Sequence, residues 1–209
     1  MPRKPGDRNR DYLGKRQAIL DRLHRALTPP AGPPPSLRDL AQAAGVSVPV
    51  LKHYFGNRAA IIAAVMAHQG AQGRPYLAHL ARADLPFAAS IRAAMRFMAE
   101  GLFEARVSDI HAFGLAEGTQ DGATGRAYLE HLFEPTLQAL EARLAAHVAR
   151  GEMKPVEPRL AALMLLAPLV LGALHQDHLG GDVVRPLDRE ALVAALVDSF
   201  CASHAAAAS

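Results

Sequence analysis

Residues 36–55 read SLRDLAQAAGVSVPVLKHYF, and their spacing predicts two short helices joined by a tight turn. Ser36 and Asp39 have the S-x-x-D spacing of a reciprocal N-terminal cap. Leu37, Leu40, Ala41 and Ala44 fall on one helical face, with Ala41 small where a second helix must approach. Gly45 follows the last helical position and can take the left-handed conformation that ends a helix. Val46 plugs the turn, Ser47 suits the N-cap of a second helix, and Pro49 sits in that helix's first turn, where no intrahelical donor is lost. Leu51 and Phe55 face inward with Tyr54 beside them. Val48 with Lys52, and Pro49 with His53, form two outward rows. This is a helix-turn-helix pattern, a scaffold that presents its second helix as a ridge fitting a DNA major groove. A helical hairpin of an all-α protein that reads no DNA has the same local spacing.

The composition points to an all-α chain. Of 209 residues half are apolar, Trp is absent and aromatics are few; Ala and Leu dominate while β-branched runs bounded by turns are scarce. The single cysteine, Cys201, excludes an internal disulfide framework and fits a reducing cytosol. The N-terminal MPRKPGDRNRDYLGKRQ carries charge with no apolar stretch behind it, so no leader is expected. The longest uncharged apolar run, 160–174, would span roughly 22 Å as a helix, short of the ~30 Å of a bilayer core. It is read as buried in protein, and no membrane partner is expected.

Charge is unevenly placed. Residues 1–58 hold 11 Lys and Arg against 4 Asp and Glu, a balance of +7, and the remainder holds 12 against 16, a balance of −4. A basic head on an acidic body is the distribution of a phosphate-binding module on a soluble core. The first eleven residues, with Arg3, Lys4, Arg8 and Arg10, read as a disordered tail that either reaches along DNA or is merely solvated. A first helix is expected over 12–27, with Ile19, Leu20, Leu23 and Leu27 on one side. The proline-rich TPPAGPPP after it reads as a stiff extended connector.

Phe55-Gly56-Asn57-Arg58 followed by AAIIAAVMAHQG, together with Leu51-Lys52-His53-Tyr54-Phe55 before it, resembles the DNA-binding domain of the TetR/AcrR family of transcriptional regulators. The likeness is close over 16–66 and looser but continuous beyond. It implies an all-α protein with an N-terminal three-helix DNA-binding domain containing the helix-turn-helix, over 12–72, and a C-terminal helical ligand-binding and dimerisation domain, over 73–209. The resemblance also implies a cytoplasmic homodimer that binds double-stranded DNA, acts as a repressor and is released by a small-molecule effector. Three departures stand out. Val48-Pro49-Val50 replaces a Lys-Gly-Thr that is frequent in the family, and Lys52 replaces a Tyr. The proline-rich connector is a third, where the family has a short Gly-containing turn. The first departure leaves open a TetR-like ligand carrier or adaptor without specific DNA binding.

The candidate DNA contacts are Ser36, Ser47, Val48, Pro49, Lys52, His53, Tyr54 and Arg58. Val48 and Pro49 donate no side-chain hydrogen bond but can pack on a thymine methyl, and Lys52 can neutralise a phosphate or reach a guanine. Beyond Asn57, a suitable cap, a fourth helix is expected towards Gln69, a further stretch over 76–83, and body helices near 87–105, 108–117, 123–150, 157–179 and 188–203. Pro135 should kink the third of these. The Gly-rich GTQDGATG at 118–125 lacks the Lys and follows a helix, so it reads as an interhelical loop and not a phosphate cradle. The helix near 157–179 is apolar nearly all round over 160–174 and needs cover on two sides, most naturally its own domain and a second copy of the chain, in a four-helix bundle with the last helix. Met95, Met98, Phe103, His111, Phe113, His131 and Phe133 are the candidate walls of an effector pocket, and a lipophilic small molecule is the expected ligand. No catalytic constellation and no cofactor motif is present. His175 and His178 have i, i+3 spacing, but they lie at a helix end where polar residues belong, and no metal is expected.

Overall fold

The computed structural model describes residues 5–27 and 35–206. Arg3 and Lys4 of the tail and most of the proline-rich connector lie outside the described residues. Among the described residues twelve α-helices follow one another: α1 Pro5–Leu27, α2 Leu37–Ala44, α3 Val48–Phe55, α4 Arg58–Gln72, α5 Arg74–Leu80, α6 Phe87–Ala99, α7 Ser108–Gly118, α8 Gly122–Tyr128, α9 Glu134–Ala149, α10 Pro158–Asp177, α11 Gly181–Val184 and α12 Arg189–His204. Wider π turns at Glu100–Glu104 and Leu129–Phe133 follow α6 and α8. The helix α1 begins at Pro5, so residues 5–11 are helical where the sequence suggested a disordered tail. Proline at a helix's first positions loses no hydrogen bond and arrives with a helical φ.

The chain divides into two compact units. The first takes residues up to 71 together with 113–131, and the second takes 72–112 and 132 onward. In the first unit Ile19, Leu20, Leu23 and Leu27 of α1, Leu40, Ala41 and Ala44 of α2, Leu51 of α3, and Ile61, Ile62, Val65 and Met66 of α4 are buried. These are the helical-period positions of the sequence, so the apolar stripes meet as their spacing requires. Segment 113–131 of this unit folds back on itself through tight approaches. A β-carbon at Gly114 would lie 2.3 Å from the Tyr128 ring, and one at Gly118 would lie 2.8 Å from Gly125 Cα. Gly118 and Gly125 thus mark a close crossing of α7 and α8, and α8 begins at Gly122, within the stretch expected to be an interhelical loop. Asp121 caps α8 by accepting from the Thr124 amide at 2.9 Å and its hydroxyl at 2.7 Å.

The second unit is cored by Phe87, Ile91, Met95 and Met98 of α6, Leu137, Leu140 and Leu144 of α9, Leu165, Leu166 and Leu169 of α10, and Val197 and Phe200 of α12. Arg143 is buried among them. It donates to the Leu80 carbonyl at the end of α5 at 2.7 Å and to the Ser90 carbonyl and hydroxyl at 3.0 and 2.6 Å, so the buried guanidinium is satisfied by polar groups of α5 and α6. The expected continuous helix over 123–150 is instead α8, a π turn and α9. Pro135 lies in the first turn of α9. It has no N–H for the carbonyl four residues back, and the wider turn absorbs that missing bond.

Pro168 lies inside α10, and this helix is long and apolar enough to cross a bilayer by length and composition, with 44 % of its apolar window buried inside the protein. Ala161, Ala162, Leu165, Leu166, Leu169 and Ala173 face the core, while Leu160, Met164 and Leu171 are each about 60 % exposed. Among the described residues, the core covers one flank of the helix and leaves the flank of Leu160, Met164 and Leu171 exposed.

Candidate nucleic-acid interface and core cavity

The helix-turn-helix closes through local bonds. Ser36 and Asp39 form the reciprocal cap: the Asp39 amide donates to Ser36 Oγ at 3.3 Å, and the Ser36 amide and hydroxyl donate to Asp39 Oδ2 at 2.9 and 2.6 Å. Those donors hold the Asp39 carboxyl below its ordinary pKa. Gly45 has φ +68°, and it and Val46 return N–H bonds of 3.0 Å to the carbonyls of Gln42 and Ala41. Arg22 of α1 adds a bond from Nη1 to the Ala44 carbonyl at 2.9 Å, closing the C-terminus of α2. Ser47 occupies the N-cap position of α3 with extended backbone, but its hydroxyl makes no cap bond.

On α3, Leu51 is fully buried, whereas Pro49, Val50, Lys52 and His53 are exposed and Val48 is half-buried. Burial of one residue fixes the helix's rotation, and the outward rows follow from it. Tyr54 stacks on Tyr12 of α1 with ring centroids 4.9 Å apart, and Arg16 lies 4.9 Å over the Phe55 ring. The aromatic run therefore pins α3 to α1. At Gly56 the backbone turns at φ +88°, ψ −125°, a region essentially reserved for glycine. Asn57 then caps α4, its Oδ1 accepting from the Ala60 amide at 2.9 Å.

Arg58 is engaged within the protein. Its guanidinium donates through Nη1 and Nη2 to Glu117 of α7 at 2.5 and 3.1 Å, and through Nε to the Pro35 carbonyl at 3.3 Å. The bond to Glu117 raises its pKa above the ordinary guanidinium value. Ser36 follows Pro35 directly, so Ser36 and Arg58 share one edge of the first unit. Glu117 is the residue that the sequence reading missed. It lies 59 positions from Arg58 and carries no local signal.

The seven candidate pocket residues do not surround one space. Met98 and His111 line a small cavity of about 40 Å³ with Tyr76, Leu102, Val107, Thr136 and Leu166. Met95 is fully buried core, and Phe133 packs at the core's margin. Phe103 lines a different space, an open groove of about 410 Å³ between α6 and α12, where Arg189 lies 4.5 Å over its ring and Arg92 and Arg96 border it. Phe113 and His131 belong to the first unit. The small cavity sits at the π turn after α6. There the Ala105 amide reaches the Glu100 carbonyl at 3.0 Å and the Tyr76 ring covers Gly101. Burial lowers the His111 pKa to about 4 and raises that of the Tyr76 phenol.

His175 and His178 turn to separate partners. His175 Nδ1 meets Gln176 Nε2 at 2.7 Å, and His178 Nε2 meets Ser108 Oγ at 3.2 Å and Asp109 at 3.4 Å. Among the described residues no group of three or more His, Cys, Asp or Glu is placed to hold a metal.

Comparison with known proteins places this architecture. Residues 89–206 match the model of the C-terminal domain of AefR-like transcriptional repressors. No curated protein matches the sequence. Among solved structures, a TetR-family regulator from Mesorhizobium loti superposes with a TM-score of 0.73 at 17 % identity, over 93 % of this chain and 98 % of that one. The regulator FadR from Bacillus subtilis, solved with stearoyl-CoA, gives 0.65 at 16 % over 88 % and 96 %. AibR, solved with isovaleryl coenzyme A and operator DNA, gives 0.63 at 18 % over 88 % and 97 %. The match spans more than half the chain and ends in the helices that follow an intact helix-turn-helix, and the chain therefore belongs to the TetR family of transcriptional regulators.

Proposed function

We propose that the protein is a cytoplasmic homodimeric repressor that inserts α3 of each subunit into the major groove of a palindromic operator and is released by a small lipophilic effector. The observation that carries this reading is the outward face of α3. With Leu51 buried behind it, Val48, Pro49, Lys52 and His53 project from a head whose first 58 residues carry a balance of +7. Ser36, Ser47, Tyr54 and Arg58 lie at helix ends and edges, where phosphate contacts set register. Lys52 supplies charge, and Val48 and Pro49 supply apolar contact to thymine methyl groups.

Two copies joined along the exposed flank of α10, with α12, would bring two heads to half-sites one helical turn apart. An effector would occupy the second unit. The cavity at Met98 and His111 is about 40 Å³, well below the roughly 300–1,000 Å³ of ordinary ligand sites. Binding there would require helices around it to part, which is the differential contact that lets a ligand favour one head arrangement over another. Acyl-CoA thioesters, which two structurally similar regulators hold, are the first class to screen.

Selection of bound sequences from random duplex DNA tests this reading, followed by a screen for release. A palindromic motif and a steep salt dependence support it. Binding without any counterion-release slope would leave a TetR-like ligand-binding or adaptor protein instead.

A further inference from the structure

We propose that Glu117 is a built-in phosphate mimic: it occupies Arg58 in the free protein, and Arg58 must leave it to contact the DNA backbone. The inference rests on the DNA-binding reading above. Three observations carry it. The first is geometry. The Glu117 carboxylate meets the Arg58 fork with both oxygens, at 2.5 and 3.1 Å, which is the bidentate pattern by which arginine takes a phosphate. The second is position. Arg58 opens α4, and its Nε bond to the Pro35 carbonyl at 3.3 Å sets it beside Ser36, which opens α2. Two helix N-termini converge on that edge, and their amide dipoles favour an anion. The third is charge. In a head otherwise rich in cations, α7 and the turn after it bring Glu117 to this edge, with Asp121 near enough to act on Arg58 electrostatically.

The two side chains differ in exposure. That of Arg58 is 34 % exposed and can be reached from outside, whereas that of Glu117 is 12 % exposed. When Arg58 moves to a phosphate, the carboxylate is left largely buried with its cation gone, and this cost opposes binding. Glu117 thus sets the affinity of the head from outside the helix-turn-helix.

The test is binding of the full-length protein to a labelled mixed-sequence duplex across a salt series. Glu117→Gln keeps the shape and removes the charge. It is expected to tighten binding about three- to tenfold at low salt and to leave the salt slope unchanged or steeper. Arg58→Ala is expected to weaken binding about tenfold and reduce the slope by about one ion. In the Arg58→Ala background, Glu117→Gln should then do nothing. Unchanged or weaker binding by Glu117→Gln with an unchanged melting temperature overturns the proposal and makes the pair a plain structural clamp. If Glu117→Gln melts early, the Arg58→Ala slope decides alone, and a slope equal to wild type overturns the proposal. Failure of the wild-type protein to bind any duplex is a distinct result that removes the DNA-binding reading itself.

Discussion

The carbonyl oxygen of His131 faces Gly70 so closely that a β-carbon on Gly70 would come within 2.3 Å of it. Backbone meets backbone there, with no flexible side chain to give way. Gly70 is therefore a close-approach glycine inside α4 and not a helix breaker. Gly70→Ala is expected to destabilise the protein by roughly 1–3 kcal/mol, since α4 or segment 113–131 must shift. Gly14 provides the internal contrast. It lies within α1, and a β-carbon added there would meet nothing within 4 Å, so Gly14→Ala is expected to stabilise by about 0.5–1 kcal/mol. Urea denaturation of both variants checks the pair, and effects of the same sign would contradict it.

Lys52 is exposed on the outward row of α3. Its replacement by Ala is expected to weaken binding to every duplex sequence alike and to lower the slope of log affinity against log salt by about one. A loss confined to particular sequences would make Lys52 a base-reading residue instead. Unchanged binding at low salt would remove it from the contact surface.

The head was legible in the sequence because its determinants are local. Ser36 and Asp39 are three residues apart, Gly45 follows the last helical turn directly, and Leu40, Ala41, Ala44 and Leu51 follow the helical period. The pocket was not legible, because periodicity gives a face and not the identity of what the face meets. Phe113 and His131 carry the same apolar or polar character as Met98 and His111 yet belong to the other unit. A π turn at Leu129–Phe133 also interrupts what the sequence reads as one continuous helix. The Arg58–Glu117 pair links positions 59 apart, and no spacing rule finds it.

The exposed flank of α10 predicts the assembly. Leu160, Met164 and Leu171 recur at intervals of four and seven residues and are each about 60 % exposed. At α10's other side Gly172 allows α12 to approach, with a β-carbon there falling 2.7 Å from Leu192 Cδ2. Placing charge on the flank, as in Met164→Arg with Leu171→Arg, leaves the packed side untouched. Sedimentation is expected to show a dimer for wild type and a folded monomer for the variant, with operator affinity reduced by at least about a hundredfold, because two half-sites are no longer held by one particle. A dimeric variant would move the interface elsewhere.

Acid should loosen the second unit through its buried histidines. His111 is buried, and burial lowers its pKa from the ordinary 6.5 to about 4. Burial also lowers that of His147, against the opposing pull of Glu152. A base with a depressed folded pKa is protonated first in the unfolded chain, so stability is complete above pH 6.5 and falls as pH drops towards 4. At pH 5 the His111 contribution lost is about 2 kcal/mol. Glu152, held at about 2 by Arg150 and His147, and Glu134, held low by Arg159, respond only in more acid solution. Urea denaturation at about pH 7.5 and pH 5 should therefore show a loss that His111→Gln largely abolishes. An equal loss in that variant would place the proton uptake on His147 or another group and leave His111 a neutral spectator of the cavity.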